Sequence, residues 1–186
     1  MDIGIISSRY AKALIDYARE KEEEDILYQE LKRLTKSFRN FPQLRTVISN
    51  PILSVKEKVN LLTVAANGEA ETSSVFTRFM KFVIKQRREI YLEFMCLNYI
   101  NLYRSAKHIG VGTLITAVPV DDETKARIRK TAAKRLHAKM ELQTIVDPDI
   151  IGGFVFDVND YRIDASVVGK LKQIKQQFID KNKRIV

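Results

Sequence analysis

The sequence predicts an α+β protein, an N-terminal antiparallel helical bundle of about six helices followed by a small βαββα C-terminal domain. Three observations carry this expectation. To about residue 107, apolar residues recur at three- and four-residue spacing between capping and breaking residues. After Gly110 and Gly112 the pattern turns to β-branched, alternating segments. The residues between Ile150 and Leu171 then read as a strand, a turn and the start of a helix. The boundary falls near residue 110, giving domains 1–109 and 110–186. No internal repeat or low-complexity segment interrupts either.

The helices follow in order. Ser7 or Ser8 is expected to cap a first helix to about Lys21, with Tyr10, Ala13, Leu14, Tyr17 and Ala18 as its apolar stripe. A second carries Ile26, Leu27, Leu31, Leu34 and Phe38 and stops near Asn40-Phe41-Pro42. A short third holds Leu44, Val47 and Ile48, and Asn50-Pro51 breaks it. Ser54 to Glu57 reads as a capping box for a fourth helix, through Val59, Leu62 and Ala66, which Gly68 ends. The fifth, from about Thr72 to Gln86, carries Val75, Phe76, Phe79, Met80, Phe82, Val83 and Ile84, far more than one stripe. Such a helix is central in a bundle, or also lines a groove that receives another helix. A sixth, from Ile90, uses Phe94, Leu97 and Leu102, and Gly110 and Gly112 are expected to end it.

In the second domain, Val111 to Val120 reads as a strand ended near Pro119. Asp121 or Asp122 then caps a helix to about Ala138, with Ile128, Ala132 and Leu136 inward and Lys125, Arg129 and Lys134 outward. Met140, Leu142, Thr144 and Val146 alternate as a second strand, and Asp147-Pro148-Asp149 turns. Gly152 and Gly153 precede the strand Phe154 to Val158, Asn159-Asp160 turns, and Arg162-Ile163 is a short continuation. Asp164 or Ser166 caps a last helix with the stripe Val167, Leu171, Ile174 and Phe178. A mixed sheet is expected.

Composition and motifs exclude several function classes. One cysteine among 186 residues leaves no disulfide framework and no zinc-binding thiol cluster. The first residues lack the charged and apolar regions of a secretory signal, and no apolar run spans a bilayer, so a soluble cytoplasmic protein is expected. The net charge of +9 is compatible with nucleic acid, an anionic surface, an acidic partner or merely solvated lysines. The acids Asp147, Asp149, Asp157, Asp160 and Asp164 lack EF-hand spacing, because Tyr161 and Arg162 stand where a ligand and a glycine belong. His108 and His137 are isolated, Cys96 has no base beside it, and there is no P-loop. No catalytic constellation assembles, no cofactor or metal is implied, and a non-catalytic binding or structural module is expected.

Several strings resemble the δ subunit of bacterial F-type ATP synthases, a family related to the mitochondrial oligomycin-sensitivity-conferring protein. Ser8 to Ala18 resembles its opening helix, and Ala133 to Leu136 is also family-like. The C-terminal signature matches at Gly152, Gly153, Asp160, Ile163, Asp164, Ser166, Val167, Gly169 and Leu171. Departures are Asp157 for a common basic residue, Asn159 and Ala165 for glycine, and Val168 for a frequent arginine. Many members carry Asn-Gly-Arg after the fifth helix. This chain has Gln86-Arg87-Arg88 there, so only the arginine at 88 matches.

The resemblance implies a peripheral-stalk (stator) subunit, supporting proton-driven ATP synthesis without a catalytic site of its own. The first domain would bind the N-terminal helix of an α subunit between the first and fifth helices, and the second would meet the b subunits. The implied groove is Tyr10, Ala13, Leu14 and Tyr17 facing Phe76, Phe79, Met80 and Val83, with bundle core as the other reading for half of them. The implied setting is a single copy in a hetero-oligomeric complex at the cytoplasmic face of the bacterial plasma (inner) membrane. No direct membrane insertion and no nucleic acid are implied. The alternative is an RNA-binding protein with a basic βαββα module, whose strands here lack an aromatic-rich RNP-like pattern.

Overall fold

A computed structural model of the chain describes residues 3–68, 70–136, 139–158 and 161–183. It resolves into two compact units, Met1–Lys107 and His108–Val186. Among the described residues the first holds six α-helices, as the α+β expectation required: α1 (Ile3–Glu20), α2 (Glu24–Asn40), α3 (Gln43–Ser49), α4 (Val55–Asn67), α5 (Ser74–Lys85) and α6 (Leu92–Ala106). A 3-10 turn at Glu89–Tyr91 leads into α6.

Local chemistry fixes most of the helix ends. At α4 the Ser54 side chain accepts from the Glu57 N–H at 3.3 Å, while the Glu57 carboxylate accepts from the Ser54 N–H at 2.8 Å. Gly68, at φ 63°, closes that helix. Ser73 caps α5, its Oγ accepting from the Phe76 N–H at 3.2 Å. The first helix differs from expectation. It begins at Ile3, and Ser7 is fully buried within it rather than capping it, because α1 is packed in the bundle along this turn.

α1 packs on α6, α2 on both α4 and α6, and α4 on α5. The core draws on Leu14 and Ile15, Leu27, Leu31, Leu34 and Phe38, Leu62, and Phe76 and Met80. The stripe of α6 is a correction. Phe94 and Leu97 are exposed, and the buried face is Leu92, Met95, Cys96, Tyr99, Ile100 and Tyr103. This face can be buried because its polar tips are partnered. The Tyr99 hydroxyl donates to the Glu24 carbonyl at 3.2 Å, and the Tyr103 hydroxyl to the Asp25 carboxylate at 2.6 Å. Tyr28 stacks on Tyr103 with ring centres 4.2 Å apart.

Two glutamates of the α1–α2 corner and of α2 hold the N-terminus of α5. Glu30, 1% exposed, accepts from the Ser73 N–H at 2.7 Å, the Ser73 hydroxyl at 2.6 Å and the Asn67 amide at 3.3 Å. Glu23 accepts from the Ser74 hydroxyl and the Val75 N–H at 2.9 and 3.0 Å. Carboxylates at this end meet unpaired amides and the positive pole of the helix. The C-terminal end is closed by a Schellman pair, Arg87 N–H to the Ile84 carbonyl and Arg88 N–H to the Val83 carbonyl. That geometry puts Arg87 at φ 52°, a conformation that a glycine adopts without a Cβ penalty.

The second unit is β1 (Ile109–Thr116), α7 (Asp122–Leu136), β2 (Lys139–Val146), a 3-10 turn (Pro148–Ile150), β3 (Phe154–Val158), β4 (Tyr161–Asp164) and α8 (Val167–Lys183). The expected mixed sheet has the order β2-β1-β3-β4. The crossover through α7 makes β1 and β2 parallel, and the other two pairings are antiparallel. The short continuation at Arg162-Ile163 is β4, pairing across to Asp157 and Phe156. Gly110 and Gly112 do not end α6, which stops at Ala106. They lie in β1, where a Cβ at Gly112 would come within 3.1–3.2 Å of Phe156 and Met140. Asp121 caps α7, accepting from the Thr124 N–H at 2.8 Å. The turn Asn159-Asp160, His137, and the side chains of Arg129, Ala132, Lys134, Arg135 and Leu136 lie outside the described residues.

The turn from β4 into α8 is a local relay. Asp164 accepts from the Ser166 N–H at 2.9 Å and the Ser166 hydroxyl at 2.6 Å, and Ser166 Oγ accepts from the Gly169 N–H at 2.9 Å. A Cβ on Gly169 would stand 2.8 Å from the Asp164 carboxylate. Gly153, at φ 75°, lets the carbonyl of Ala165 approach where a Cβ would be only 2.3 Å away. The Ala165 N–H donates to the Phe154 carbonyl, and the Val167 N–H to the Gly152 carbonyl, tying the start of α8 to the start of β3.

Two outcomes follow from these turns. Arg87→Gly should raise stability by about 1 kcal/mol, read as a higher urea midpoint at unchanged slope. A lower midpoint would mean that the Arg87 side chain holds the corner. The hydrogen bonds from the Ser166 hydroxyl and N–H keep the Asp164 carboxyl below its ordinary value. Its contribution to stability is therefore complete above the unfolded value, ~3.9, and lost as pH falls through the lower folded value. The difference in urea midpoint between wild type and Asp164→Asn should shrink below about pH 4; a constant difference would contradict the relay.

Candidate functional site

Tyr10, Ala13, Leu14 and Tyr17 recur at i, i+3, i+4 and i+7, so α1 presents them as one stripe. α5 faces that stripe with Phe79 and Phe82. Between them runs an apolar groove of about 460 Å3, completed by Arg9 and Arg78. Leu14 and Phe79 form buried walls, Tyr10 and Tyr17 are half-buried, and Ala13 is exposed.

The two tyrosines are held by arginines of the opposite wall. Arg78 Nη1 donates to the Tyr17 hydroxyl at 3.0 Å, and its guanidinium lies 5.4 Å from the ring centre. Arg88 Nη1 donates to the Tyr10 hydroxyl at 2.6 Å, with the guanidinium 5.3 Å from that ring. Tyr10 also stacks on Phe82 at 5.8 Å. These pairings run Tyr17 to the start of α5 and Tyr10 to its end, so the two helices are antiparallel. With an arginine donating to each hydroxyl oxygen, the rings are held in place with apolar faces on the groove, a preorganised surface for apolar side chains.

Of the eight groove residues expected from the sequence, Tyr10, Ala13, Leu14, Tyr17 and Phe79 lie on the groove. Phe76, Met80 and Val83 are fully buried in the bundle core beneath it. Arg9, Arg78, Phe82 and Arg88 were missed. The available signal was that Arg78 and Phe82 are four apart and share a face of α5. The apolar excess of α5 thus divides: Val75, Phe76, Met80, Val83 and Ile84 make core, while Phe79, buried, and Phe82, 48% exposed, line the groove.

In the second unit, the signature residues Gly152, Gly153, Asp164, Ser166 and Gly169 build the β4–α8 turn, and Asp160 lies outside the described residues. Ile163, Val167 and Leu171 are exposed. The stripe of α8 continues uncovered through Ile174 and Phe178, which are 48% and 64% exposed. A second apolar concavity, about 590 Å3, opens between α7 and the sheet face of Leu114, Phe154, Phe156 and Ile163.

The titratable groups do structural work. Burial pushes the Cys96 thiol far up, so it is a packed apolar group rather than a nucleophile. Asp147 accepts from the Asp149 N–H at 3.0 Å, and Asp157 faces Arg162 across the hairpin at 3.6 Å. Among the described residues, no His, Cys, Asp and Glu cluster is placed to hold a metal ion, and no helix is long and apolar enough to cross a membrane.

Residues 6–178 match the family model described as ATP synthase delta (OSCP) subunit. The chain is 59% identical to the ATP synthase subunit delta of Bacteroides thetaiotaomicron and 60% identical to that of Bacteroides fragilis, each over the whole of both chains. It is 34% identical to that of Lactobacillus acidophilus over 95% of this chain and 96% of that one. Among solved structures, a chain of the Toxoplasma gondii mitochondrial ATP synthase hexamer shares the fold, with TM-score 0.65 and 18% identity over 93% of this chain and 97% of that one. The chain belongs to the ATP synthase delta (OSCP) subunit family, which favours the peripheral-stalk role over the RNA-binding alternative.

Proposed function

We propose that this subunit is the stator link of a bacterial F-type ATP synthase and works by adhesion alone. The α1–α5 groove receives the N-terminal helix of an α subunit of the catalytic head. The second unit meets the b subunits through the exposed stripe of α8, namely Val167, Leu171, Ile174 and Phe178. The subunit sits in single copy at the cytoplasmic face of the plasma membrane, catalyses nothing, and resists the torque that would turn the head with the rotor.

The observation that supports this reading most is the preorganised groove. An apolar trough walled by two pinned tyrosines, with the small Ala13 exposed between them, has the shape that an amphipathic helix needs. The α8 stripe supports the second contact, because an uncovered row of large apolar residues marks a protein interface. Two contacts on one chain raise the effective concentration of each, so neither need be tight alone.

Ala13→Glu places a carboxylate in the groove from an exposed position, where a docked helix would strip it of water. It should weaken binding of the α-subunit N-terminal peptide by at least about 30-fold in a fluorescence titration of the full chain, with circular dichroism and melting unchanged. Undiminished binding would remove the groove from the interface. Ile174→Asp should likewise leave the fold intact and lower recovery of the b subunits, but not of the α peptide, by about 10-fold or more. Equal recovery of b would move that contact away from α8.

A further inference from the structure

α5 has a second flank, away from the α1–α5 groove. Thr77, Lys81 and Lys85 recur four apart and share a face of the helix, with both lysines exposed. α4 runs antiparallel beside it. A short connection joins the end of α4 to the start of α5, and Lys58 near the start of α4 meets Glu89, just beyond α5, at 2.8 Å. Between α4 and that flank lies a trough of about 660 Å3, with Val55 and Val59 on the α4 side and Lys56, Lys81, Lys85 and Glu71 around it. The trough and the groove share no lining residue among those described.

The acids close to the trough have other work. Glu89 pairs with Lys58, Glu93 pairs with Arg45, and the Glu57 carboxylate is held in the Ser54 cap. Among the described residues, Lys56, Lys81 and Lys85 have no carboxylate partner. Lys81 and Lys85 stand one turn apart, a like-charge spacing that destabilises a helix while nothing neutralises it. The lining contains neither an arginine nor an aromatic ring. Nucleic-acid surfaces draw on both, guanidinium forks for phosphates and rings for stacked bases. Valines set among lysines match a peptide instead, apolar side chains entering the trough and carboxylates meeting its rim. The edge from Thr77 to Lys85 is about 12 Å long, room for two turns of a helix.

We propose that the α4–α5 trough is a second docking surface, whose occupant is an acidic segment of a neighbouring polypeptide of the ATP synthase. Its apolar residues pack on Val55 and Val59, and its aspartates or glutamates pair with Lys56, Lys81 and Lys85. This surface is separate from the groove and from the α8 stripe. α5, fastened at both ends, then carries a contact on each flank.

The test is lysine acetylation of the purified ATP synthase and of the free chain, read by mass spectrometry. An apposed carboxylate holds an amine in its ammonium form, which does not acetylate, so Lys56 and Lys81 should react at least about 10-fold more slowly in the complex. A zero-length carbodiimide, which joins amines to carboxylates in contact, should link Lys56, Lys81 or Lys85 to an aspartate or glutamate of another polypeptide. Equal acetylation in both samples would overturn the proposal. Protection without such a link would mean a neutral cover, and protection removed by nuclease would mean nucleic acid; either overturns it. The free chain saturated with the α-subunit N-terminal peptide separates the trough from the groove. Lys56 and Lys81 should acetylate there as in the free chain alone, and protection by that peptide would merge the trough with the groove's interface and overturn a second surface. If the peptide does not bind while the complex shows protection and links, the groove reading falls and the trough stands.

Discussion

The N-terminal unit depends on how α5 is fastened. The helix is amphipathic to excess, and an apolar rod of this kind could rotate in a bundle unless its ends were fixed. Glu30, buried among the donors it accepts, fixes the start against α2, and Glu23 adds a second carboxylate at the same pole. Burying a carboxylate is costly unless its oxygens are filled, and here three donors fill those of Glu30. The Schellman closure fixes the far end and delivers Arg88 onto Tyr10. With both ends held, the rotation of α5 is set, and Phe79 and Phe82 face α1 while Phe76, Met80 and Val83 face the core.

Chemistry that depends on neighbours in sequence was readable. The Ser54–Glu57 box, the glycine after α4 and the βαβ crossover all follow from residues a few positions apart, and the α1 stripe from helical spacing. What escaped depends on distant partners. Arg78 reaches Tyr17 across 61 residues and Arg88 reaches Tyr10 across 78, so neither pairing has a local signature. The α6 face was misplaced for a related reason. Phe94 and Leu97 are the more apolar choice, but Tyr99 and Tyr103 are buried because α2 offers acceptors for their hydroxyls. Ser7 looked like a cap and is a small buried residue at a packed turn. Gly110 and Gly112 looked like a helix stop and are spaces for Met140 and Phe156.

The C-terminal signature divides on inspection into two kinds of residue. The glycines, Asp164 and Ser166 make a turn that a Cβ or a missing hydroxyl would disrupt. The side chains of Ile163 and Leu171 stabilise little within the chain, since each is more than half exposed, and Val167 is 38% exposed. A sequence pattern records both kinds alike, and only the fold separates those that build α8's anchorage from those that α8 and the sheet present outward. Membership of an ATP synthase gives the outward set a reason to exist, because a subunit of a larger complex leaves apolar surface uncovered when it is described alone.

The central claim is that the two units grip different partners through the α1–α5 groove and the α8 stripe. Lysine crosslinking of the purified ATP synthase, read by mass spectrometry, tests it most directly, since Lys85 is the last residue of α5, the helix that forms one wall of the groove, and Lys172 and Lys175 lie on α8. The account predicts that Lys85 links to the N-terminal segment of an α subunit, and that Lys172 and Lys175 link to the b subunits. Links from Lys85 to b, or from the α8 lysines to the α-subunit N-terminus, would contradict it.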